Sequence, residues 1–292
     1  MKCKQQPNGT FISETELILR PDGTVYHLGI DSSYVAPKVI IVGDPERVDM
    51  IANRFDRIEK RQSNREFVVV RGDYRGKDLT VVSSGIGVDN IDIVLNELDA
   101  AVHIDLQTRK IKDARVSLEI VRIGTTGSLR ESLKPGTFIA SAWAIGMDNV
   151  PLSYDATMEP EERTILDDFN KAANASMIYA VASNSDLLAR IGNEMTRGIT
   201  LTANGFYGPQ GRSLRLLSRE PELFSKVGSY SHNGFEVTNL EMECSGIYAL
   251  SSMLGHRALT VCVVLANRVT KEFHKTPSVS IESLVSTVLE RI

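Results

Sequence analysis

Apolar residues along this chain fall into short runs that end in glycine, separated by stretches with helical spacing. Val116, Leu118, Ile120, Val121 and Ile123 predict a buried strand that stops at Gly124-Thr125-Thr126-Gly127-Ser128. Residues 39–42 predict another, entering Gly43; Asp44 then suits a helix N-cap, Pro45 the first helical position, and Val48, Ile51 and Phe55 one helical face. Strands at 67–71 and 79–84 flank a turn at 72–77, and the second runs through Gly85-Ile86-Gly87 into a helix carrying Ile91, Val94, Leu95 and Leu98. Further along, 136–145 predicts a strand, 148–163 a loop, 165–175 and 186–195 helices, and 200–212 a loop. A helix through Ile247, Leu250 and Leu254, a buried strand at 258–268 and an amphipathic helix at 281–292 complete the chain.

Upstream, residues 1 to about 14 show no period and are expected to be loose. Residues 15–20 and 24–28 predict a hairpin around Pro21-Asp22-Gly23. The polar connection 103–115 is longer than it needs to be and is expected on the surface. Strands interleaved with helices, several ending in glycine turns, predict an α/β fold whose ligand sits where those strand ends meet.

Composition narrows the classes. A chain of 292 residues that is 42% hydrophobic can bury a large core. Its net charge of −4 argues against a general nucleic-acid or anionic-membrane binder. The three cysteines, Cys3, Cys244 and Cys262, have neither disulfide-framework nor zinc spacing, which fits a reducing cytoplasm. No leader-like or membrane-spanning run is evident in the sequence, so no membrane partner is expected.

Four stretches carry candidate chemistry. Arg122 ends a buried strand, where a guanidinium is costly unless it meets an anion or a structural carboxylate; the residues alone leave both open. Gly43 to Arg47 place a helix N-terminus and a first-turn arginine together, a generic anion site, with Glu46 as the alternative partner for Arg47. Phe206-Tyr207 followed by Gln210 and Arg212 offer a flat surface with directional polar groups, as a heterocyclic base requires, although a surface loop with two buried aromatics reads equally well. Glu241 and Glu243 open a helix; the dipole explains one of them, and the pair also suits vicinal hydroxyls. His27, taken alone, reads as structural.

In this order these stretches resemble the nucleoside phosphorylases of the hexameric and dimeric α/β type, most closely the uridine-specific branch, over about residues 26 to 292, with 1–25 as an extension. The resemblance implies a single α/β domain with a mixed sheet, partly closed into a barrel and flanked by helices. It implies phosphorolysis of uridine, with phosphate held by Gly43, Arg47, Arg122, Thr125 and a neighbouring subunit's Arg65. Ribose would meet Met242, Glu243 and a neighbour's His27; the base would meet Phe206, Gln210, Arg212, Leu265 and Ala266. Arg212, Gln210 and Arg122 would carry catalysis, without cofactor or catalytic metal; a monovalent cation at Glu66 and Ser83 is implied by some relatives only. A homo-oligomer follows, with a dimer as the minimal unit and a hexamer also open. The alternatives are a purine nucleoside phosphorylase or a nucleosidase of the same fold, and last a non-catalytic nucleoside-binding protein. The first two use an aspartate just after the last strand, where this sequence has Ala266-Asn267-Arg268.

Overall fold

Val39, Ile40, Ile41 and Val42 have no polar face to turn to water. The computed structural model describes residues 1–219, 221–228 and 230–292, with only the backbone at Leu223 and Ser225. Lys38–Val42 (β1) lies inside the sheet, parallel to both neighbours, with Val39 and Ile41 packed on one side and Ile40 and Val42 on the other. This is how an all-apolar strand is accommodated. The sheet continues with Arg57–Asn64 (β2), Phe67–Tyr74 (β3), Lys77–Ser83 (β4), Glu119–Ser128 (β5), Phe138–Gly146 (β6) and Tyr179–Ala182 (β7). Thr196–Thr202 (β8), Ser231–His232 (β9), Phe235–Glu241 (β10) and Arg257–Asn267 (β11) complete it.

The hydrogen-bonded order is β9-β10-β8-β6-β11-β5-β1-β4-β3-β2, with β7 added on β6. Strand β10 also pairs with β5, so β5, β11, β6, β8 and β10 close into a five-stranded barrel from which β1 to β4 extend. The helices are Pro45–Ala52 (α1), Val88–His103 (α2), Pro160–Ala173 (α3), Ser185–Arg190 (α4), Leu223–Val227 (α5), Cys244–Leu254 (α6) and Pro277–Arg291 (α7). The apolar faces of α2 and α6 cover one side of the sheet, and those of α1, α4 and α7 the other. Helix α3 packs Ile165, Leu166 and Phe169 onto the barrel. The α/β class, the mixed sheet and the barrel are thus all present. Among the described residues no helix is long and apolar enough to cross a membrane.

Several local expectations change. Thr200 to Thr202, expected in a loop, end strand β8, and Thr200 and Thr202 are fully buried with their hydroxyls bonded inside the barrel. Strand β2 is a polar edge strand, the composition edges favour, and gives little hydrophobic signal. Helix α3 begins at Pro160, inside the expected loop, where Glu162 reaches back to accept from the Glu159 amide at 2.7 Å. Helix α4 ends at Arg190, short of the expected 195. The hairpin at 15–28 reduces to one bridge, Leu19 to Val25, because the chain turns again at Gly29, where the Gly29 amide donates to Val25 O, and sends Leu28 and Ile30 into the core.

The opening segment is packed rather than loose. Lys2–Cys3 pairs with Ala156–Thr157, and the Met1 amino group donates to the buried Glu162 carboxylate at 2.7 Å. Residues 103–115 form a small surface hairpin, as placed, and Gly9 and Ile12 bond to its second strand and turn.

Candidate active site

Gly43 after β1, Gly85 after β4, and Gly124 with Gly127 in β5 all open on one cavity of about 600 Å³. The expected convergence is observed with one correction: Gly124 to Gly127, expected as a turn beyond the strand, lie within β5, which stays paired with β11 through Ser128, so Arg122 sits inside the strand and not at its end. Asp44 caps α1 by accepting from the Glu46 amide at 2.9 Å, which brings Arg47 to the cavity wall. Arg47 does not pair with Glu46; its Nη1 donates to Ile123 O at 3.3 Å, and among the described residues it makes no ion pair. Burial, and then the nearby Arg122 charge, hold its pKa below the ordinary arginine value, with Asp44 pulling the other way. Such a cation is stabilised by an incoming anion. The Thr125 hydroxyl, on the same wall, has no protein partner among the described residues.

Arg122 is only 5% exposed, and both readings left open by the sequence bear on it. Its Nη1 lies 3.1 Å from Glu241 Oε2, its Nη2 bonds Glu243 Oε2, and Nη1 also donates to Cys262 Sγ at 3.4 Å. The guanidinium lies so close over Gly124 that a Cβ there would collide with it. Burial alone would lower the Arg122 pKa, but the carboxylates of Glu243 and Glu241 raise it above the usual arginine value. Glu243 has its other oxygen on the Gly87 amide at 2.8 Å, so the turn into α2 helps to aim it. Glu241 accepts from Thr202 Oγ1 at 2.8 Å and from the amides of Glu243 and Cys244 at 2.9 and 3.0 Å. Burial, reinforced by Glu243 and opposed by Arg122, pushes its pKa up to about 7. Met242 lines the cavity between these carboxylates in sequence.

The expected base-reading residues share this cavity: Phe206, Gln210, Arg212, Leu265 and Ala266. Arg212 lies over the Phe206 ring at 3.9 Å, donating to Phe206 O at 2.6 Å and to Gln210 Oε1 at 2.5 Å. Burial, and then Arg268, lower its pKa to about 10. Phe206 and Tyr207 are half exposed, so the bland reading of two buried aromatics does not hold.

Arg268, just past the end of β11, is not among the residues lining the cavity but bonds to the loop that carries Gln210. Its Nη2 donates to Gln210 O at 3.0 Å and its Nη1 is buried without a partner. Ile86 and Phe273 line the cavity and carried no sequence signal of a ligand.

His27 and Arg65 lie outside this cavity. His27 Nδ1 meets Glu97 Oε1 at 2.6 Å, and Arg65 stacks on Tyr26 with its guanidinium 5.4 Å from the ring centre. Asn64 donates to His27 O at 2.7 Å, so the two sit near each other at the sheet edge. The Ser83 hydroxyl donates to Glu66 O at 2.8 Å and accepts from the Val68 amide at 2.7 Å, which leaves one lone pair for a cation.

Elsewhere, Asp99, His103 and His256 converge as metal ligands do. The Val116 amide donates to His103 Nε2 and the Leu118 amide to His256 Nδ1, so in each neutral ring the proton sits on the nitrogen facing Asp99. A metal there would require protons on the two nitrogens that already accept from backbone, so the trio ties α2 to the start of β5 and α6 instead.

A closed α/β barrel that gathers uncompensated arginines, paired carboxylates and a guanidinium stacked on an aromatic ring defines a protein for a small ligand with an anionic group, hydroxyls and a flat ring. The chain belongs to the phosphorylase superfamily, which it matches over residues 37–290. It is 30% identical over 260 residues to the uridine phosphorylase of Thermococcus kodakarensis, covering 87% of this chain and 81% of that one. A DeoD-type purine nucleoside phosphorylase of Colwellia psychrerythraea is 29% identical over 265 residues, covering 90% and 95%. Among solved structures, the Trypanosoma brucei nucleoside phosphorylase, described as showing uridine phosphorylase activity, superposes with a TM-score of 0.82 at 32% identity, covering 94% of this chain and 98% of that one.

Proposed function

We propose that this chain catalyses phosphorolysis of uridine to uracil and ribose 1-phosphate. The observation that carries the reading is that Arg47 and Arg122 share one cavity with Gln210, Arg212 and the Phe206 ring. Phosphate bound at Gly43, Arg47, Arg122 and Thr125 attacks the anomeric carbon as the bond to the base breaks. The electron pair of that bond leaves with uracil, and the sugar gains positive character. Arg212, with Gln210, stabilises the departing anion more than the neutral bound base. Glu243 and Met242 hold the ribose hydroxyls, and fixing phosphate against sugar supplies the remainder through orientation. Inorganic phosphate is a co-substrate, and no cofactor is invoked.

A pyrimidine is favoured over a purine by Asn267. Its side chain is committed, donating to Arg130 O at 2.9 Å and Leu133 O at 3.0 Å and accepting from the Val269 and Thr270 amides at 2.9 Å. It has neither the proton nor the freedom to serve a purine leaving group. A homo-oligomer, at least a dimer, is proposed because His27 and Arg65 sit outside their own cavity and suit a neighbouring copy's ribose and phosphate. A monovalent cation at Glu66 and Ser83 would use the one free Ser83 lone pair. Cytoplasmic pyrimidine salvage is the proposed setting, consistent with Cys3, Cys244 and Cys262 being free thiols.

The test is uracil release from uridine with and without phosphate. Uracil and ribose 1-phosphate are expected only when phosphate is present; phosphate-independent release would make this a hydrolase, and release of hypoxanthine from inosine in preference would make it a purine enzyme.

A further inference from the structure

The barrel closes through its shortest ladder. Strand β10 meets β5 through only two residue pairs, Asn239 with Ser128 and Leu240 with Gly127, whereas β11 follows β5 along its full length. At this seam the Asn239 side chain is fully buried. Its amide nitrogen donates to Thr126 Oγ1 on β5 at 2.8 Å, and its amide oxygen accepts from Thr200 Oγ1 on β8 at 2.9 Å and from Thr238 Oγ1 at 2.8 Å. Thr126 donates onward to Leu240 O at 2.7 Å.

The directions are fixed by chemistry. With its own proton on Leu240 O, the Thr126 hydroxyl can only accept from residue 239, while two hydroxyls point at that residue's oxygen. A side chain that gives on one side and takes on the other is required, and an amide is the one that does so at this length. A buried network with its directions matched in this way specifies geometry as well as stability.

The two strands of the seam carry the two halves of the site. Thr125 and Thr126 lie on β5 with Arg122, and Glu241, Met242 and Glu243 lie at the end of β10. We propose that Asn239 is a positioning residue, one that sets the spacing between the oxyanion-binding part of β5 and the groups that hold the sugar. The inference rests on the phosphorolysis reading and adds a residue that touches neither substrate. Phosphate alone is held from the β1 and β5 side and is insensitive to the seam. Ribose 1-phosphate, which spans it, is sensitive.

The experiment compares Asn239→Leu and Asn239→Asp with Thr238→Val. Thr238→Val removes a hydroxyl that bonds Asn239 Oδ1 and Ile199 O but does not reach β5. Calorimetric affinities for inorganic phosphate and for ribose 1-phosphate, kcat for uridine, and melting midpoints are measured for each. Both Asn239 variants are expected to keep phosphate affinity within about threefold, to lose ribose 1-phosphate affinity about tenfold, and to lose about 10²-fold in kcat. Thr238→Val is expected to melt lower yet keep both affinities and kcat. Asn239→Asp retains the shape and the acceptor, so it reports even if the leucine variant does not fold. Equal loss of both ligands, no loss of either, or the same pattern in Thr238→Val overturns the positioning role alone. Wild-type protein that fails to bind ribose 1-phosphate overturns the functional reading and this role with it.

Discussion

The two arginines at opposite tasks in the cavity are built in opposite ways. Arg122 lies in a barrel strand, with Gly124 beneath it and a carboxylate on each of its two terminal nitrogens. Arg212 lies in a loop between β8 and α5, half-buried, and held by a carbonyl, an amide and the face of Phe206. The oxyanion end is thus part of the core, while the base end is laid onto it. Change at the first should disturb folding and chemistry together; change at the second should alter recognition and leave the fold alone.

The strongest way to break this contrast is Arg122→Met. Removing the cation leaves Glu241 and Glu243 facing each other in a buried site, which costs about 3–5 kcal/mol when a buried partner is lost. A large fall in the urea midpoint and loss of phosphorolysis are expected. A variant that unfolds at the wild-type midpoint would overturn the placing of Arg122 in the core half of the site.

The same contrast explains what the sequence could reveal. Strands β1, β4 and β5 were legible because their apolar runs meet glycines abruptly, and those glycines proved to share a cavity, although in β5 they continue the strand where a turn was expected. Arg122 was legible as a dilemma, since cost alone says that it needs negative charge but not whether a carboxylate or a ligand supplies it. Strand β8 was hidden because the barrel interior it faces is polar, with Thr200 and Thr202 buried on Asn239 and Glu241, so no apolar run marks it off from the glycine- and proline-rich loop that follows. The anchoring of Met1 on Glu162 joins residues 161 positions apart, and no local pattern encodes it. Phe206, Gln210 and Arg212 were legible as a candidate from their residue types, but only the resemblance chose between a base site and a surface loop, because a loop carries no periodicity to check them against.

Arg212→Ala tests the other half. A donor aimed at developing charge is worth about 10²–10³ in kcat when removed, and a drop of that order with uridine is expected. Because Arg212 packs on one ring at the surface, the melting midpoint should stay within about 0.5 kcal/mol of wild type. A large stability loss instead would mean that the loop is as much a part of the core as the strand.

The smallest expected effect concerns pH, and it separates the halves without altering activity. Burial raises the Glu241 pKa from the usual carboxylate range to about 7. An acid whose folded pKa lies above its unfolded value contributes stability that is fully present below the unfolded pKa and is lost as pH rises through the folded one. The stability difference between the ligand-free wild type and Glu241→Gln should therefore fall as pH rises from about 5 to 8. Arg212, lowered only to about 10, should give a flat difference with Arg212→Ala over the same window. The geometry sets a rival expectation, because the Glu243 and Cys244 amides and Arg122 can only donate to Glu241, and the Thr202 hydroxyl, which accepts from the Ser245 amide, donates to it as well. If those donors win, Glu241 stays ionised across the window and its difference is flat as well. The slope thus measures whether the core half of the site is governed by the burial of its charges or by the hydrogen bonds that meet them.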